Sequence, residues 1–317
     1  MMQMFTRYQC RALLILLTFT GSSVADEPQT LRVMTFNLWV GGEAGGQPLS
    51  KSAEVIQKAG ADVVGLQETA GKVQAGKRLD RAKELAEILG WNYLNQNGRT
   101  AIISRFPILR STPNKWGAEI QLPSKQTIFL FNAHLAHAPY QPYQLLNIPY
   151  HNGAFLKTEQ EAIAAAKAAR GEQVQQLLSE INTFQKLNLP MFVTGDFNEP
   201  SHLDWTAETV EAEQSPISVR WPSTEAVLAA GFVDGYRVAH PDPVKKRGLT
   251  WTPLTKVTDP KDRHDRIDFV MCSTKRARVT EAKIIGESKQ YADIVVENYP
   301  SDHRAVVVEV KLLHEPK

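Results

Sequence analysis

This sequence predicts an α/β fold, and three observations carry the prediction. Short apolar runs rich in β-branched residues recur at strand length, as in Arg32-Val-Met-Thr-Phe, Ile128-Phe-Leu-Phe and Ala305-Val-Val-Val-Glu-Val. Amphipathic segments that stop at a glycine alternate with them. Five of the runs carry polar groups at one tip. Asn37, Glu68, His134 and Asp196-Phe-Asn198 follow their runs, and Ser301-Asp302-His303 precedes the last. An antiparallel final strand would bring all five tips to one edge, where ligands of α/β sheets collect. A purely structural sheet would place apolar residues there, because buried polar groups carry a desolvation cost.

The elements follow in chain order. The first run ends at Asn37. Residues 50–59 form an amphipathic helix stopping at Gly60, a residue suited to a left-handed C-cap. Val63-Val-Gly-Leu-Gln is the second run and leads into Glu68. Residues 79–89 read as a helix ending before Gly90. Thr158-Glu-Gln-Glu161 is a capping-box sequence opening an Ala-rich helix that extends to Leu187, with Gly171 a point of kinking or splitting. Residues 224–230 repeat the helical form before Gly231, and Ile267-Asp268-Phe-Val-Met reads as a strand.

Three segments lack periodicity. Residues 137–157 carry Pro139, Tyr140, Pro142, Tyr143, Pro149 and Tyr150, and follow directly on His134. Loops of this length in a compact domain are usually functional, so a lid or substrate-facing wall is expected. Residues 201–205 form a second loop. Residues 241–266 form a third, around the apolar island Leu249-Thr-Trp-Thr252. His137, His151, His202 and His264 fall in these loops, where surface positions are expected. Trp205 and Trp251 are expected to pack rather than to bind, and Lys245-Lys-Arg247 to form a solvated face. No internal repeat or low-complexity segment is present.

Residues 1–25 read as a cleaved secretory signal. Arg7 and Arg11 form its basic region, Ala12-Leu-Leu-Ile-Leu-Leu its apolar core, and Ser23-Val-Ala25 its small-residue cleavage site. The core is too short for a stable membrane span, and no other run approaches that length. A single domain is then expected over 26–317, and a secreted or periplasmic location. The whole chain has 36 Lys+Arg against 34 Asp+Glu. Loss of Arg7 and Arg11 makes the remainder formally neutral, which argues against a general nucleic-acid binder with a basic face. Cys10 leaves with the signal, so Cys272 stands alone and is expected to be a small buried apolar residue.

The polar tips define the chemistry. Glu68 and Asp196 are hard oxygen donors, and magnesium favours a few carboxylates together with phosphate oxygens and water. No Cys/His cluster with zinc spacing, His-Glu-x-x-His helix, Gly-x-Ser-x-Gly elbow or Gly-x-x-x-x-Gly-Lys-Ser/Thr loop occurs. His303 is the natural general base: it can take a proton from water or stabilise a pentavalent phosphorus transition state. Asp268, a charge on a strand, is expected to hold it; pairing with Arg266 is the structural alternative. Asn37 and Asn198 are neutral donors for a phosphoryl oxygen or a metal's shell, and His134 could donate to a phosphate oxygen.

With these residues in place, the sequence resembles the endonuclease/exonuclease/phosphatase superfamily. The resemblance runs from Met34-Thr-Phe-Asn37 to Ser301-Asp-His303, with Leu66-Gln-Glu68 and Gly195-Asp-Phe-Asn198 between. It implies a four-layer α/β sandwich of two packed mixed β-sheets flanked by helices. It implies a metal site at Glu68, with Asn37 its first-strand partner and Asp302 beside it. The phosphate-contacting histidine falls on His134, and the pair near the nucleophile and transition state on Asp196 and Asn198. Asp268 falls on the aspartate that pairs with the catalytic histidine, His303. Ala101-Ile-Ile-Ser-Arg105-Phe-Pro107 is similar to the family's strand before a proline turn, its arginine structural. The loop after His134 and the segment Ser201-His-Leu-Asp-Trp205 look most like exported bacterial members. The implied activity is metal-dependent hydrolysis of a phosphate ester with Mg2+ or Mn2+, by a monomer. Small or lipid-derived phosphodiesters rank ahead of nucleic acid, a secreted nuclease is the alternative, and a non-catalytic binding protein is the remaining one.

Overall fold

The computed structural model describes residues 29–313, so the expected signal at 1–25 lies outside the described residues. The first half of the chain forms β1 (Thr30–Asn37), α1 (Leu49–Ala59), β2 (Val63–Gln67), β3 (Ala70–Gln74), β4 (Lys77–Asp80), α2 (Arg81–Leu89), β5 (Asn92–Asn95), β6 (Thr100–Ser104), β7 (Ile108–Ser111), β8 (Gly117–Gln121) and β9 (Thr127–His134). The second half forms α3 (Gln141–Leu145), α4 (Glu159–Gln185), β10 (Met191–Asp196), α5 (Ala207–Glu211), α6 (Pro222–Ala229), β11 (Phe232–Asp234), α7 (Gly235–Ala239), β12 (Asp268–Ser273), β13 (Ala277–Gly286), β14 (Ile294–Val295) and β15 (Ala305–Leu312).

Two mixed sheets organise the fold. The seven-stranded sheet has the order β14-β13-β15-β1-β2-β6-β5, and the six-stranded sheet the order β11-β12-β10-β9-β8-β7. Three apolar layers hold them. Leu31, Val33 and Ile102 of the first sheet pack on Leu130, Phe192 and Val270 of the second. Met34, Phe36 and Val64 face the other way, onto Val55, Ile56 and Leu85 of α1 and α2. Phe129, Phe131 and Val193 face Leu177 and Ile181 of α4 and Val227 of α6. Alternation of side chains along each buried strand therefore produces the expected four layers.

Pairing sets the positions of the tips. β1 is parallel to β2 and antiparallel to β15, with Thr35 opposite Val306, so Ser301-Asp302-His303 arrives beside Asn37. β10 is parallel to β9, with Asp196 opposite His134, and antiparallel to β12, with Asp196 opposite Asp268. The expected gathering at one edge thus occurs in both sheets.

Several local expectations hold and some do not. Gly60 and Gly90 cap α1 and α2 in the left-handed region. Thr158 and Glu161 form the capping box of α4. That helix runs unbroken through Gly171, because its packing on the sheet outweighs the low propensity of one glycine. The helix expected from residue 79 begins at Arg81. Asp80 is its N-cap, accepting from Lys83 N–H at 3.2 Å, and Leu79 belongs to the β3–β4 hairpin. The aperiodic segment 137–157 contains one short helix, α3, with proline in its first turn. Cys272 is buried on β12, as expected. No described helix is long and apolar enough to cross a membrane.

Candidate active site

The strand tips converge on a cavity of about 270 Å³ lined by Glu68, His134, Asp196, Asn198, Asp302 and His303, among others. Asp196 is its hub. Asn37 Nδ2 donates to Asp196 Oδ2 at 2.9 Å, across the seam between the sheets. His134 Nε2 lies 3.5 Å from the same oxygen, and His303 Nε2 lies 3.7 Å from it. The backbone N–H of Asn198 donates to Asp196 Oδ1 at 2.9 Å.

His303 Nδ1 is 2.9 Å from Asp268 Oδ2. Arg266, the alternative partner of Asp268, instead pairs with Asp204 and Asp234. Thr250 Oγ1 accepts from the backbone N–H of Asp268 at 3.2 Å, and Trp251 packs against the imidazole with ring centroids 4.9 Å apart. Burial pushes the His303 pKa down, but the carboxylates of Asp268 and Asp196 outweigh it and hold the pKa well above the ordinary value. Burial raises the Asp268 pKa as well. Asp268 thus holds the ring through Nδ1, while Nε2 faces Asp196 and the cavity.

Two of the tip residues are held in a backbone conformation that L side chains rarely adopt. Glu68 has φ 53° and Asn198 φ 48°. Such strain persists where surrounding contacts over-determine it, and it concentrates at functional sites. At Glu68 those contacts are Gly41 N–H to the backbone oxygen at 2.6 Å and Val40 N–H to Oε2 at 3.0 Å. At Asn198 they include the side-chain amide, which donates to Leu135 O at 3.1 Å.

The donor set fits a hard divalent cation. Asp302 Oδ1 is buried without a hydrogen-bond partner. Burial, with Glu68 nearby and against the pull of His303, pushes the Asp302 carboxyl up to about 7. A cation would satisfy that oxygen and relieve the crowding of carboxylates. Asp196, Asp268 and His303 also bring donor atoms within 4.8 Å of one another. Asp268 Oδ1 is likewise buried without a partner. A cation between Asp268 and His303 would separate a hydrogen-bonded pair, whereas one at Asp302 Oδ1 would displace no hydrogen bond of that oxygen. Asn37 uses its oxygen to accept from Trp39 N–H at 3.0 Å. Its amide orients Asp196.

The segment 137–157 forms a wall of the cavity. His137, Tyr140, Tyr143 and Tyr150 all line it. The Tyr140 hydroxyl donates to Asp265 at 2.9 Å, and the Tyr143 hydroxyl donates to Asp262. Two aperiodic segments are thus tied together through tyrosines that line the cavity. Arg170, fully buried on α4, fixes the wall from behind by donating to Gln141 Oε1 at 2.6 Å and Pro139 O at 3.1 Å. One of the loop histidines departs from the expected surface position: His264 is buried. His137 is exposed as expected and lines the cavity. Trp205 packs against Trp221 as expected, whereas Trp251 also lines the cavity. Lys245 is exposed as expected, but Arg247 is half-buried.

A buried polar layer beneath the tips was not read from the sequence. Gln67 Nε2 donates to Asn132 Oδ1 at 2.6 Å, Thr194 Oγ1 donates to the same oxygen at 3.1 Å, and Gln67 also bonds Thr35. Thr35, Asn132 and Thr194 each stand two residues before a tip, at Asn37, His134 and Asp196. In a strand that places them on the same face as the tip. Polar residues at that spacing were the available signal.

The family model described as the Endonuclease/Exonuclease/phosphatase family matches residues 34–303. The chain belongs to the endonuclease/exonuclease/phosphatase family. Members of this family are hydrolases of phosphoester bonds. An uncharacterised Caenorhabditis elegans protein, F14F9.5, is 29% identical over 305 residues, covering 88% of this chain and 90% of the relative. An endonuclease/exonuclease/phosphatase from Beutenbergia cavernae is similar in structure, with TM-score 0.56 and 18% identity over 89% of this chain and 72% of that one. An AP endonuclease from Archaeoglobus fulgidus is similar with TM-score 0.52 and 16% identity, over 88% of this chain and 98% of that one. At these identities the structural likeness is one of fold.

Proposed function

We propose that this chain is a divalent-metal-dependent phosphodiesterase that hydrolyses a small or lipid-derived diester by attack of water. The observation that carries the reading is the buried Asp268–His303 pair opening onto a cavity that also holds Glu68, Asp196 and Asp302. Asp268 occupies His303 Nδ1, fixing the tautomer and leaving Nε2 to take the proton of the attacking water. The imidazolium so formed is stabilised by the same carboxylate. Asp196, held by Asn37 and by Asn198 N–H, orients the groups around phosphorus. His134 and the Asn198 amide donate to phosphoryl oxygens as charge develops. Glu68 and Asp302, with Asn37 beside them, would hold Mg2+ or Mn2+, which neutralises charge on the phosphate when bound.

The substrate preference rests on two features. The chain without its leader is formally neutral, which gives little general attraction for a polyanion. The cavity wall is aromatic, with Tyr140, Tyr143, Tyr150 and Trp251 offering rigid amphipathic contact to a small substrate. The reading includes export as a monomer, from the signal-like residues 1–25, with 26–317 as the catalytic domain. The test is a metal-supplemented screen of purified protein against DNA, RNA, phospholipids, sugar phosphates and bis-p-nitrophenyl phosphate. Turnover of diesters that chelation abolishes supports the reading. Activity confined to nucleic acid, or none on any ester, overturns it.

A further inference from the structure

The β3–β4 hairpin belongs to neither large sheet and starts directly after Glu68 and Thr69. Its sequence from Gly71 to Leu79 contains Lys72, Lys77 and Arg78 and no acid. Among the described residues no carboxylate pairs with any of these three cations; Arg78 Nη1 donates to the backbone oxygen of Gly71 at 2.8 Å. Two apolar side chains stand among them in water, Val73 at 59% and Leu79 at 45% exposure. The acids nearby are engaged at the base. Glu43 Oε2 accepts from Lys72 N–H at 2.7 Å and its other oxygen lies 3.2 Å from Arg81 Nε. Asp80 accepts from Tyr93, Asn95 and Lys83 N–H. Glu43 follows Trp39 and Val40, which line the cavity, so the hairpin is anchored beside the cavity mouth while its tip is free. Two more exposed apolar residues, Phe155 and Leu254, stand shortly after the cavity residues Tyr150 and Trp251.

We propose that this hairpin is a contact for an anionic lipid bilayer, holding the cavity at the membrane surface. A bilayer interface uses both halves of the pattern: cations meet the charged headgroups, and Val73 and Leu79 enter the acyl boundary. A nucleic acid would use the cations and leave the apolar side chains in water. The contact goes beyond the reaction assigned to the cavity and is measured without turnover.

The test is co-sedimentation of the purified protein with phosphatidylcholine vesicles and with vesicles containing one-third phosphatidylglycerol, alongside binding to a duplex oligonucleotide. The expected result is salt-sensitive binding to the anionic vesicles. Joint substitution Lys72→Glu, Lys77→Glu and Arg78→Glu should weaken it at least on the order of a hundredfold, since each cation near such a surface contributes roughly fivefold. The pair Val73→Ser and Leu79→Ser should weaken it on the order of tenfold. Both variants should melt with the wild type, because the hairpin lies outside the two large sheets. Absence of vesicle binding, vesicle affinity unchanged by both variants, or duplex binding in place of vesicle binding overturns the proposal.

Discussion

His303 and Asp268 meet at 2.9 Å, although one precedes the last strand of the seven-stranded sheet and the other opens a strand of the six-stranded sheet. The pair is buried, and its two members are contributed from opposite sides of the sandwich. The two side chains are therefore aligned by sheet packing, with no short-range chain constraint between them.

Replacing His303 with alanine should abolish turnover and leave the fold intact. Loss of a general base costs on the order of a hundredfold or more in kcat. The comparison is steady-state hydrolysis of bis-p-nitrophenyl phosphate beside circular dichroism. Undiminished turnover in a folded variant would remove His303 from the chemistry.

Asp268→Asn should lower turnover and lower the pKa of His303. The anion holds the imidazolium form, so its loss shifts the ring toward the neutral form at a given pH. His303 acts as base when unprotonated, so the acidic limb of the kcat/KM profile should move to lower pH. The maximum should fall because the imidazolium formed during attack loses its counter-charge. A pH–rate profile that keeps its shape would make Asp268 a structural residue.

Chelation should remove activity, and added magnesium or manganese should restore it. Glu68→Gln should demand far more metal, because an amide lacks the charge that a hard cation prefers. A metal titration of activity in both proteins makes the comparison. Equal half-saturating metal concentrations would place the cation elsewhere in the cavity.

Arg170→Met should destabilise the protein by about 3–5 kcal/mol, because it leaves the fully buried Glu199 without its cation 3.7 Å away. Burial already raises the Glu199 pKa above its ordinary value of 4.5. Losing Arg170 raises it further, so the folded variant binds a proton that the unfolded chain releases. Its deficit should therefore shrink as pH falls toward the ordinary carboxylate range and grow as pH rises. Denaturant melts at several pH values give the slope. A deficit independent of pH would mean that lost packing, and not the stranded carboxylate, is the cause.

The sequence made the polar tips legible because each stood at one end of an apolar run, a place that costs stability unless a ligand or partner uses it. Strand pairing within each sheet and packing of the two sheets then brought Asn37, Asp196, Asp268 and His303 together through contacts far apart in the chain. The start of α2 was misread because Leu79 fits a helical period, while its strand role depends on pairing within a hairpin. The burial of His264 escaped notice because a loop sequence carries no period from which to read depth. The clamps from Tyr140 to Asp265 and from Arg170 to Gln141 depend on tertiary placement alone.

Gly65 lies where the two sheets approach closely beneath the tips: a Cβ there would stand 2.0 Å from Thr194 Oγ1 and 2.4 Å from Asn132 Oδ1. The site is thus split between two slabs held by an apolar layer, and their approach beneath the tips depends on the absence of one methyl group and on a few hydrogen bonds. A shear of the slabs by a fraction of an ångström would leave helices, strands and apolar layers intact while pulling base from anion. Activity then reports alignment, and spectroscopy reports only folding. Mild denaturant, or Gly65→Ala, should silence the enzyme while its far-ultraviolet spectrum still looks native.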